Sequence, residues 1–302
     1  MNNSHSPFIS IIFSKNIFVI LSGFLLFSSN VFSQIQCTAQ DKNLVLEKLA
    51  YFKSLKQFEE LNINETAVKV GKSFLGIEYV AKTLEINENG EDLVVNLHGL
   101  DCTTFLENVV VFSRLIKQDK LEFEDYVKAL ELLRYRNGKI DNYNSRLHYF
   151  SDWLYENEQK GLIEQKSKSI ANQPFKNELH FMTNNRDKYV QLGDEENYLN
   201  LKSTEKSFTK RNYFFIPKEH IEDYESEIKS GDLIAITTNI KGLDIVHVGI
   251  AIHQNGRLHL MHASSKQKKV VISEKPLSEY LAPTKYQTGI MVAEILSPQK
   301  KF

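Results

Sequence analysis

Two strand-like runs near the carboxyl end of the chain are joined by the dipeptide Asn255-Gly256. Asn-Gly between such runs is typical of a two-residue type I′ turn, because both residues tolerate positive φ angles. A turn of this length fixes the register of the strand runs 245–252 and 258–262, so that Ile252 lies opposite His259 and Gly249 lies opposite His262. The sequence therefore predicts an antiparallel hairpin with a defined register.

The alternation of side chains along these strands places two histidines on one face of the hairpin. His247 and His262 are diagonal neighbours on that face, roughly 7–8 Å apart at the backbone and within reach of each other's side chains. His259 points to the opposite face, and His253 lies at the turn. A close pair of histidines predicts either a metal site or a base that a second histidine orients. The structural alternative is two half-buried histidines in a sheet.

A cysteine earlier in the chain is the candidate nucleophile. Asp101 is a good helix N-cap, and Cys102 follows it in the first helical turn. Free N–H groups and the helix dipole at that position favour the thiolate, so we expect an activated thiol. The alternative is a small buried cysteine at a strand-to-helix turn. The apolar face of the predicted helix carries Phe105, Val109, Phe112 and Ile116.

The composition excludes several classes of protein. With 302 residues, 42% of them hydrophobic, the chain can bury a full core. A net charge of -1 with scattered Lys and Arg argues against nucleic acid as a partner. The two cysteines, Cys37 and Cys102, are too few for a disulfide framework or a zinc finger, so both are expected to be free. The sequence also has no His-Glu-x-x-His motif, and we expect neither a metal nor another cofactor.

The chain is predicted to contain an export signal and a single domain. Residues 1–33 have a positive flank at Lys15, a short apolar core and a small residue, Ser33, at the cleavage site. The mature protein is expected to be periplasmic or secreted, without stable membrane insertion, although an uncleaved membrane anchor is the alternative. Residues 34–302 would form the domain, with a helical extension at 34–64 and an insertion at 162–210.

Several short motifs resemble those of the NlpC-like cysteine hydrolases, papain-related enzymes that cleave amide bonds in bacterial peptidoglycan. They are Asp101-Cys102 followed by Phe105, Gly231-Asp232-Leu233, His247-Val248-Gly249-Ile250 and His262-Ala263-Ser264. The closer resemblance is to one branch, the N-acetylmuramoyl-L-alanine amidase-like family, from about residue 65 to about residue 294. Its motifs lie at residues 75–80, 83–85, 93–97, 101–105, 134–138, 145–153 and 242–244.

This resemblance implies an α+β fold of the papain-like NlpC type, in which an antiparallel sheet packs on the nucleophile-bearing helix and extra helices surround them. It implies that Cys102 is the nucleophile, that His247 is the general base and acid, and that His262 orients His247. The Tyr79 hydroxyl and the Cys102 backbone N–H would hold the oxyanion. The structural alternative for Tyr79 is an ordinary core tyrosine.

The substrate-binding residues are predicted from a basic segment. Ser145 is a candidate N-cap for a helix over residues 146–160, and basic residues lie before and within that segment. The candidates to hold carboxylates or sugar hydroxyls of the substrate are Arg134, Arg136, Arg146 and His148. The alternative for each arginine is a structural ion pair.

The resemblance implies a monomeric amidase that cleaves the N-acetylmuramoyl–L-alanine bond of soluble muropeptides without a cofactor. Two rivals stay open, one on the same fold and one in another class. The first is a peptidase that cleaves γ-D-glutamyl-diaminopimelate, and the second is a non-catalytic protein that binds the cell wall. A zinc amidase is a more distant alternative.

Overall fold

The computed structural model describes Met1, residues 35–88 and residues 90–299. The predicted export signal, residues 1–33, therefore lies outside the described residues except for Met1. The described residues 35–88 and 90–299 belong to one compact unit. Among the helices that the structure describes, none is long and apolar enough to cross a membrane.

The main sheet has ten strands in the described part of the chain, nine of them in the order β4-β2-β11-β10-β9-β8-β12-β7-β6, and the tenth, β5, pairs with β12. Neighbouring strands are antiparallel except for β2 and β4. A separate parallel pair joins β1 to β3. The strands are β1 (Ile35–Cys37), β2 (Glu78–Tyr79), β3 (Leu93–Val95), β4 (Gly99–Leu100), β5 (Ile163–Gln165), β6 (Gln173–Phe175), β7 (Tyr213–Pro217), β8 (Leu233–Thr238), β9 (Ile245–Gln254), β10 (Arg257–Ser264), β11 (Lys269–Ile272) and β12 (Gln287–Ile295).

Helices cover both faces of this sheet. They are α1 (Ala39–Ser54), α2 (Gln57–Glu60), α3 (Ile63–Lys72), α4 (Cys102–Gln118), α5 (Phe123–Arg134), α6 (Phe150–Gln159), α7 (Ser167–Ile170), α8 (Phe181–Asn184), α9 (Glu195–Ser207) and α10 (Leu277–Leu281). Short 3₁₀ turns lie at Arg136–Gly138, Tyr143–Ser145, Arg186–Lys188, Val190–Gly193, Phe208–Lys210, Lys218–His220 and Glu222–Glu227. The coarse expectation of an α+β fold with a mostly antiparallel sheet is confirmed.

The predicted hairpin register is confirmed from the turn to the pair Ile250–Met261, and the predicted pair Gly249–His262 lies beyond the end of the ladder. Asn255 and Gly256 have φ angles of 52° and 79°, as a type I′ turn requires. The ladder of β9 and β10 runs from the pair Gln254–Arg257 to the pair Ile250–Met261. One two-residue turn therefore positions both histidine-bearing strands.

The helix α4 begins where the sequence places it, because Asp101 caps it. The Asp101 carboxylate accepts from the Thr104 backbone N–H at 2.8 Å, and the Thr104 hydroxyl accepts from the Asp101 N–H at 2.9 Å. This reciprocal box satisfies two donors that the first helical turn would otherwise leave open. The buried face of α4, including Phe105 and Val109, then packs on the sheet in the larger hydrophobic core.

The two segments flagged in the sequence, 34–64 and 162–210, are both tied into the main fold. Residues 34–64 contain the expected helices, but β1 pairs with the buried strand β3 as well. The predicted insertion, residues 162–210, contributes β5 and β6 to the main sheet. Its helices α8 and α9 form a small separate core with Tyr143 and Tyr149. This segment is therefore partly sheet and partly an added wall beside α6.

Candidate active site

The thiol of Cys102 lies at the point where the hairpin ladder ends. Its sulfur accepts from the backbone N–H of Val248, which is the neighbour of His247 on β9. The β9–β10 ladder ends at Ile250, two residues from Val248. The hairpin and the amino end of α4 therefore meet, as the catalytic interpretation of the sequence requires.

The two histidines on the predicted face are in direct contact. The distance between His247 Nε2 and His262 Nδ1 is 2.5 Å, and the two rings are perpendicular with centroids 4.7 Å apart. A Cβ atom at Gly249 would lie 3.0 Å from His262 Cβ and 2.7 Å from the Met261 carbonyl oxygen. Gly249 thus provides the space that the second histidine occupies.

The helix and the histidines lie on opposite faces of the hairpin. α4 packs on the face that carries Val248, Ile250 and Met261, within the larger core. His262 lies on the other face, where its ring contacts Tyr280 of α10. Because the ladder stops at Ile250, the thiol can meet the strand edge there and reach the backbone beside His247.

The electrostatics of this group favour uncharged forms. Burial and the Asp101 carboxylate raise the pKa of the Cys102 thiol to about 12, although the Val248 and Thr103 donors act in the opposite direction. Burial lowers the pKa of His247 to about 4. Burial and the neighbouring His247 lower the pKa of His262 to about 3. The expected thiolate at the helix start is therefore replaced by a neutral thiol beside two neutral imidazoles, because desolvation outweighs the helix dipole here.

Tyr79 reaches this group through a short strand. β2 pairs in parallel with β4, so Tyr79 lies beside Leu100, one residue before the Asp101 cap. Burial raises the pKa of the Tyr79 hydroxyl, and the charges of Cys102 and Asp101 raise it further. The structure therefore brings the predicted oxyanion donor into electrostatic range of the predicted nucleophile.

Tyr280 is a neighbour of the site that the sequence does not reveal. Its ring packs edge-on against His262, with centroids 5.5 Å apart and an interplanar angle of 71°. Burial raises the pKa of its hydroxyl, and Tyr286 and then Cys102 add to the effect. The short helix α10 carries no motif that would have marked Tyr280, and only its packing against the histidine face identifies it.

A cleft of about 630 Å³ opens beside the amino end of α4. Asp101 and Thr103 line it on the nucleophile side. The opposite wall comes from the predicted insertion, including Phe181 and Tyr189. The Gln191 amide bonds to the carbonyl oxygens of residues 87 and 90 and holds this wall in place. Residues 162–210, the predicted insertion, therefore shape the cleft.

The three candidate arginines are all in internal ion pairs. Arg134 donates to buried Glu107 at 2.8 Å, and Glu107 also accepts from the Trp153 indole at 3.2 Å. Arg136 pairs with Asp152 at 2.5 Å and with Glu156 at 3.1 Å, and it is not among the residues that line the cleft.

Arg146 lines the cleft, as Arg134 does, but it is only 5% exposed. It pairs with Glu85 and lies 3.4 Å from Glu91. Burial raises the pKa of the Glu91 carboxyl to about 7 in spite of this arginine. A role of the three arginines in holding substrate carboxylates stays a prediction, and the structure shows the alternative ion pairs.

His148 also lines the cleft, and its ring is in contact with Tyr143. The distance from its Nε2 to the Tyr143 carbonyl oxygen is 2.8 Å, and the two ring centroids are 4.3 Å apart. The predicted helix over residues 146–160 is too long, since α6 starts at Phe150 and Tyr143–Ser145 forms a 3₁₀ turn. His148 therefore lies in an extended segment before the helix.

Among residues 35–88 and 90–299, no three His, Cys, Asp or Glu side chains are grouped so that they could hold a metal ion. Both cysteines are free, and Cys37 is half-buried in β1. The Cys37 thiol donates to the Thr38 carbonyl oxygen at 3.3 Å, and the side chain packs against the larger core.

Comparisons with known proteins agree with this arrangement. A solved structure of an N-acetylmuramoyl-L-alanine amidase from Bacteroides uniformis is 36% identical, with a TM-score of 0.74 over 78% of this chain and 99% of that one. A Bacteroides fragilis protein, whose name gives xylanase as a proposed activity, is 39% identical, with a TM-score of 0.72 over 75% and 100% of the two chains. A Legionella pneumophila protein at 21% identity and a TM-score of 0.65 shares the fold over 86% of this chain and 96% of its own. No curated protein matches the chain.

A family model described as N-acetylmuramoyl-L-alanine amidase-like matches residues 69–290. The matched region includes Tyr79, Cys102, His247 and His262, which the fold brings to one place from a short strand, a helix start and a hairpin. A match over this length, together with this constellation, shows that the chain belongs to the N-acetylmuramoyl-L-alanine amidase-like family.

Proposed function

We propose that this protein hydrolyses the amide bond between the lactyl group of N-acetylmuramic acid and L-alanine, with Cys102 as the nucleophile. Family membership supports a peptidoglycan amidase. The observation that carries the cysteine mechanism is the meeting of the Cys102 thiol with the β9 backbone beside the His247–His262 pair.

The neutral groups suit a concerted first step. His247 Nε2 lies 2.5 Å from His262 Nδ1. In the tautomer that the mechanism needs, Nε2–H donates to His262 Nδ1, and His247 Nδ1 is the nitrogen that takes the thiol proton. The sulfur attacks the lactyl carbonyl carbon, and the carbonyl oxygen becomes an oxyanion. The Cys102 N–H at the start of α4 and the Tyr79 hydroxyl, which interacts electrostatically with Cys102, would donate to that oxyanion.

In the remaining steps His247 gives back each proton that it takes up. The C–N bond breaks as the imidazolium of His247 gives its proton to the alanyl nitrogen, so the stem peptide leaves as an amine and a thioester remains. His247 then takes a proton from water while the water oxygen attacks the thioester. The C–S bond breaks, the sulfur regains the proton from His247, and the muramoyl group leaves as a carboxylic acid.

We also infer that the fold is of the papain-related NlpC type. The arrangement of a capped cysteine helix packed on an antiparallel sheet with a histidine-bearing hairpin supports this assignment. The remaining expectations are an exported, monomeric protein that acts on soluble muropeptides. The predicted signal at 1–33 supports export, and a cleft of about 630 Å³ suits a soluble fragment.

The rivals differ in products. A γ-D-glutamyl-diaminopimelate peptidase on the same fold would split the stem peptide and leave the sugar attached. A wall-binding protein would release nothing. The glycosidase activity named for the Bacteroides fragilis relative would need two available carboxylates. Of the four carboxylates that line the cleft, Asp101 caps α4, Glu107 pairs with Arg134 and Glu85 pairs with Arg146. Only Glu88 of these four has no such engagement, which makes this alternative less suitable.

Mass spectrometry of products from a defined disaccharide-peptide tests the proposal. The expected products are free disaccharide and an intact stem peptide with a free alanine amine. Cys102→Ala and His247→Gln should each lower the rate by at least about 10³-fold, because each removes a group that forms or activates the thiolate. Cys37→Ala is the matched control, since it removes the other thiol from a distant strand and should leave the rate unchanged.

A cleaved stem peptide with the sugar still attached would instead identify the peptidase. If Cys102→Ala kept the wild-type rate, the cysteine mechanism would be wrong. Activity that is lost in a strong chelator and restored by zinc would support a metal amidase.

A further inference from the structure

His148 has a fixed tautomer. Its Nε2 lies 2.8 Å from the carbonyl oxygen of Tyr143, and a carbonyl oxygen can only accept. Nε2 therefore carries the proton, and the neutral ring has an unprotonated Nδ1. The face contact with the Tyr143 ring, at 4.3 Å between centroids, fixes the orientation of the imidazole.

The surroundings keep this ring uncharged. Burial lowers the pKa of His148 well below its ordinary value, and the guanidinium of Arg146, and more weakly that of Arg136, lower it further. The carboxylates on this side of the cleft are already paired, Glu85 and Glu91 with Arg146. A second proton on the imidazole would therefore lie beside a cation without a counter-ion of its own.

Nδ1 is left as an acceptor without a donor. Among the described residues the structure records no hydrogen bond to this atom, and it is not one of the fully buried atoms that lack a partner. The ring lines the same cleft as Thr103, next to the nucleophile. An exposed lone pair of fixed direction at this position is suited to a donor on a bound molecule.

We propose that Nδ1 of His148 accepts a hydrogen bond from an N–H or O–H group of the substrate, and so selects substrates that carry a donor there. This inference rests on the proposed function, because it names a contact of the same cleft. It narrows the expectation from the sequence that His148 holds carboxylates or sugar hydroxyls, because a carboxylate has no hydrogen to donate and a hydroxyl has one.

Two substitutions test the roles of the two His148 nitrogens one at a time. In His148→Gln the longer side chain brings its amide near the position of Nε2, so the bond to Tyr143 can be kept while the Nδ1 acceptor is lost. In His148→Asn the amide oxygen can lie near the position of Nδ1. We expect His148→Gln to raise KM about 3- to 10-fold with kcat within about 2-fold, and His148→Asn to raise it less. His220→Gln, at an exposed histidine paired with Asp223, is the control and should not change KM.

Three substrate analogues identify the donor. One is methylated at the alanyl–glutamyl amide nitrogen, one has an ester in place of the sugar acetamido N–H, and one lacks the 6-hydroxyl of the muramoyl sugar. With the wild-type enzyme, we expect one analogue to have a KM about 3- to 10-fold above that of the parent substrate, which is the increase expected for His148→Gln. With His148→Gln, this analogue and the parent substrate should have the same KM. A wild-type KM for His148→Gln, or equal discrimination among analogues by variant and wild type, would overturn the proposal. A loss confined to kcat would overturn it as well, because it would indicate an effect on the reacting groups.

If the proposed function is wrong, the kinetic measurements give a different result. In that case the wild-type enzyme cleaves none of these fragments. Calorimetry then still tests the acceptor, by comparing binding of the disaccharide-peptide to Cys102→Ala and to Cys102→Ala/His148→Gln. Affinity about 3- to 10-fold lower in the double variant supports the role of His148, and equal affinity contradicts it.

Discussion

The histidine pair and the arginine-bearing wall belong to the same site but handle charge in opposite ways. His262 is buried and His247 is half-buried, and neither has a carboxylate partner among the described residues. Burial lowers the pKa of both into the range of about 3 to 4. Arg134 and Arg146 are buried, yet each guanidinium is matched by a carboxylate. The histidine pair stays uncharged, whereas a neighbouring carboxylate neutralises the charge of each arginine.

The two regions therefore have different roles, since the histidines can transfer protons and the arginines hold the structure. A neutral imidazole can take a proton, whereas an arginine keeps its charge at all working pH values and can only hold its partner in place. The buried pairs fix the wall of the cleft, and the histidines stay able to change protonation state. Substitutions in the two regions should therefore alter different measurements.

The largest effect on stability is expected in the wall. Arg134→Met leaves Glu107 as an unpaired buried carboxylate, apart from its bond to the Trp153 indole. Removing one partner of a buried ion pair costs about 3–5 kcal/mol of unfolding free energy. Urea unfolding at pH 7 measures this loss.

The double variant Arg134→Met/Glu107→Gln provides the control. The neutral amide in place of the Glu107 carboxylate removes the unpaired charge and can still accept from the Trp153 indole, so most of the lost stability should return. If Arg134→Met were as stable as the wild type, the internal pairing of the wall would not be important for the fold, and the contrast with the histidines would be lost.

A smaller effect, with a defined pH range, is expected at the histidine pair. The pKa of His262 is about 3 in the folded protein, against an ordinary value near 6.5. Below pH 6.5 the unfolded chain binds a proton that the folded protein does not, so stability falls as the pH is lowered and stops falling near pH 3. His262→Asn removes this pH-dependent contribution to the unfolding free energy. Between pH 7 and pH 4.5 the unfolding free energy of the variant should therefore fall by about 2 kcal/mol less than that of the wild type.

Denaturant unfolding at several pH values tests this slope. Parallel curves for His262→Asn and the wild type would mean that His262 is protonated in the folded protein, and the neutral character of the pair would be refuted.

The elements that could be predicted from sequence are those fixed by local chemistry. The Asn255-Gly256 turn determined the hairpin register, and the Asp101 cap determined the start of α4. Both depend on residues within a few positions of each other. The pairing of His247 with His262 followed from that register alone.

The elements that could not be predicted depend on distant parts of the chain. Residues 163–165 form a strand only because they pair with β12, more than a hundred residues later. Arg146 does not start a helix, since its backbone bridges Tyr135 and its side chain pairs with Glu85. The pKa of Cys102 follows from burial under the assembled fold, which the helix dipole argument does not include.

The smallest expected effect concerns the side of the histidine pair away from α4. Tyr280 is a positioning residue, since its ring packs edge-on against His262. Edge-to-face contacts are worth about 0.5–1.5 kcal/mol, so Tyr280→Leu should lower kcat/KM about 2- to 10-fold and shift the acid limb of the pH–rate profile. Tyr280→Phe keeps the ring and should stay within about 2-fold of the wild type. If Tyr280→Phe lost as much activity as Tyr280→Leu, the hydroxyl rather than the ring would be responsible. The histidines would then depend on a polar partner after all, and the contrast with the arginine wall would be narrower.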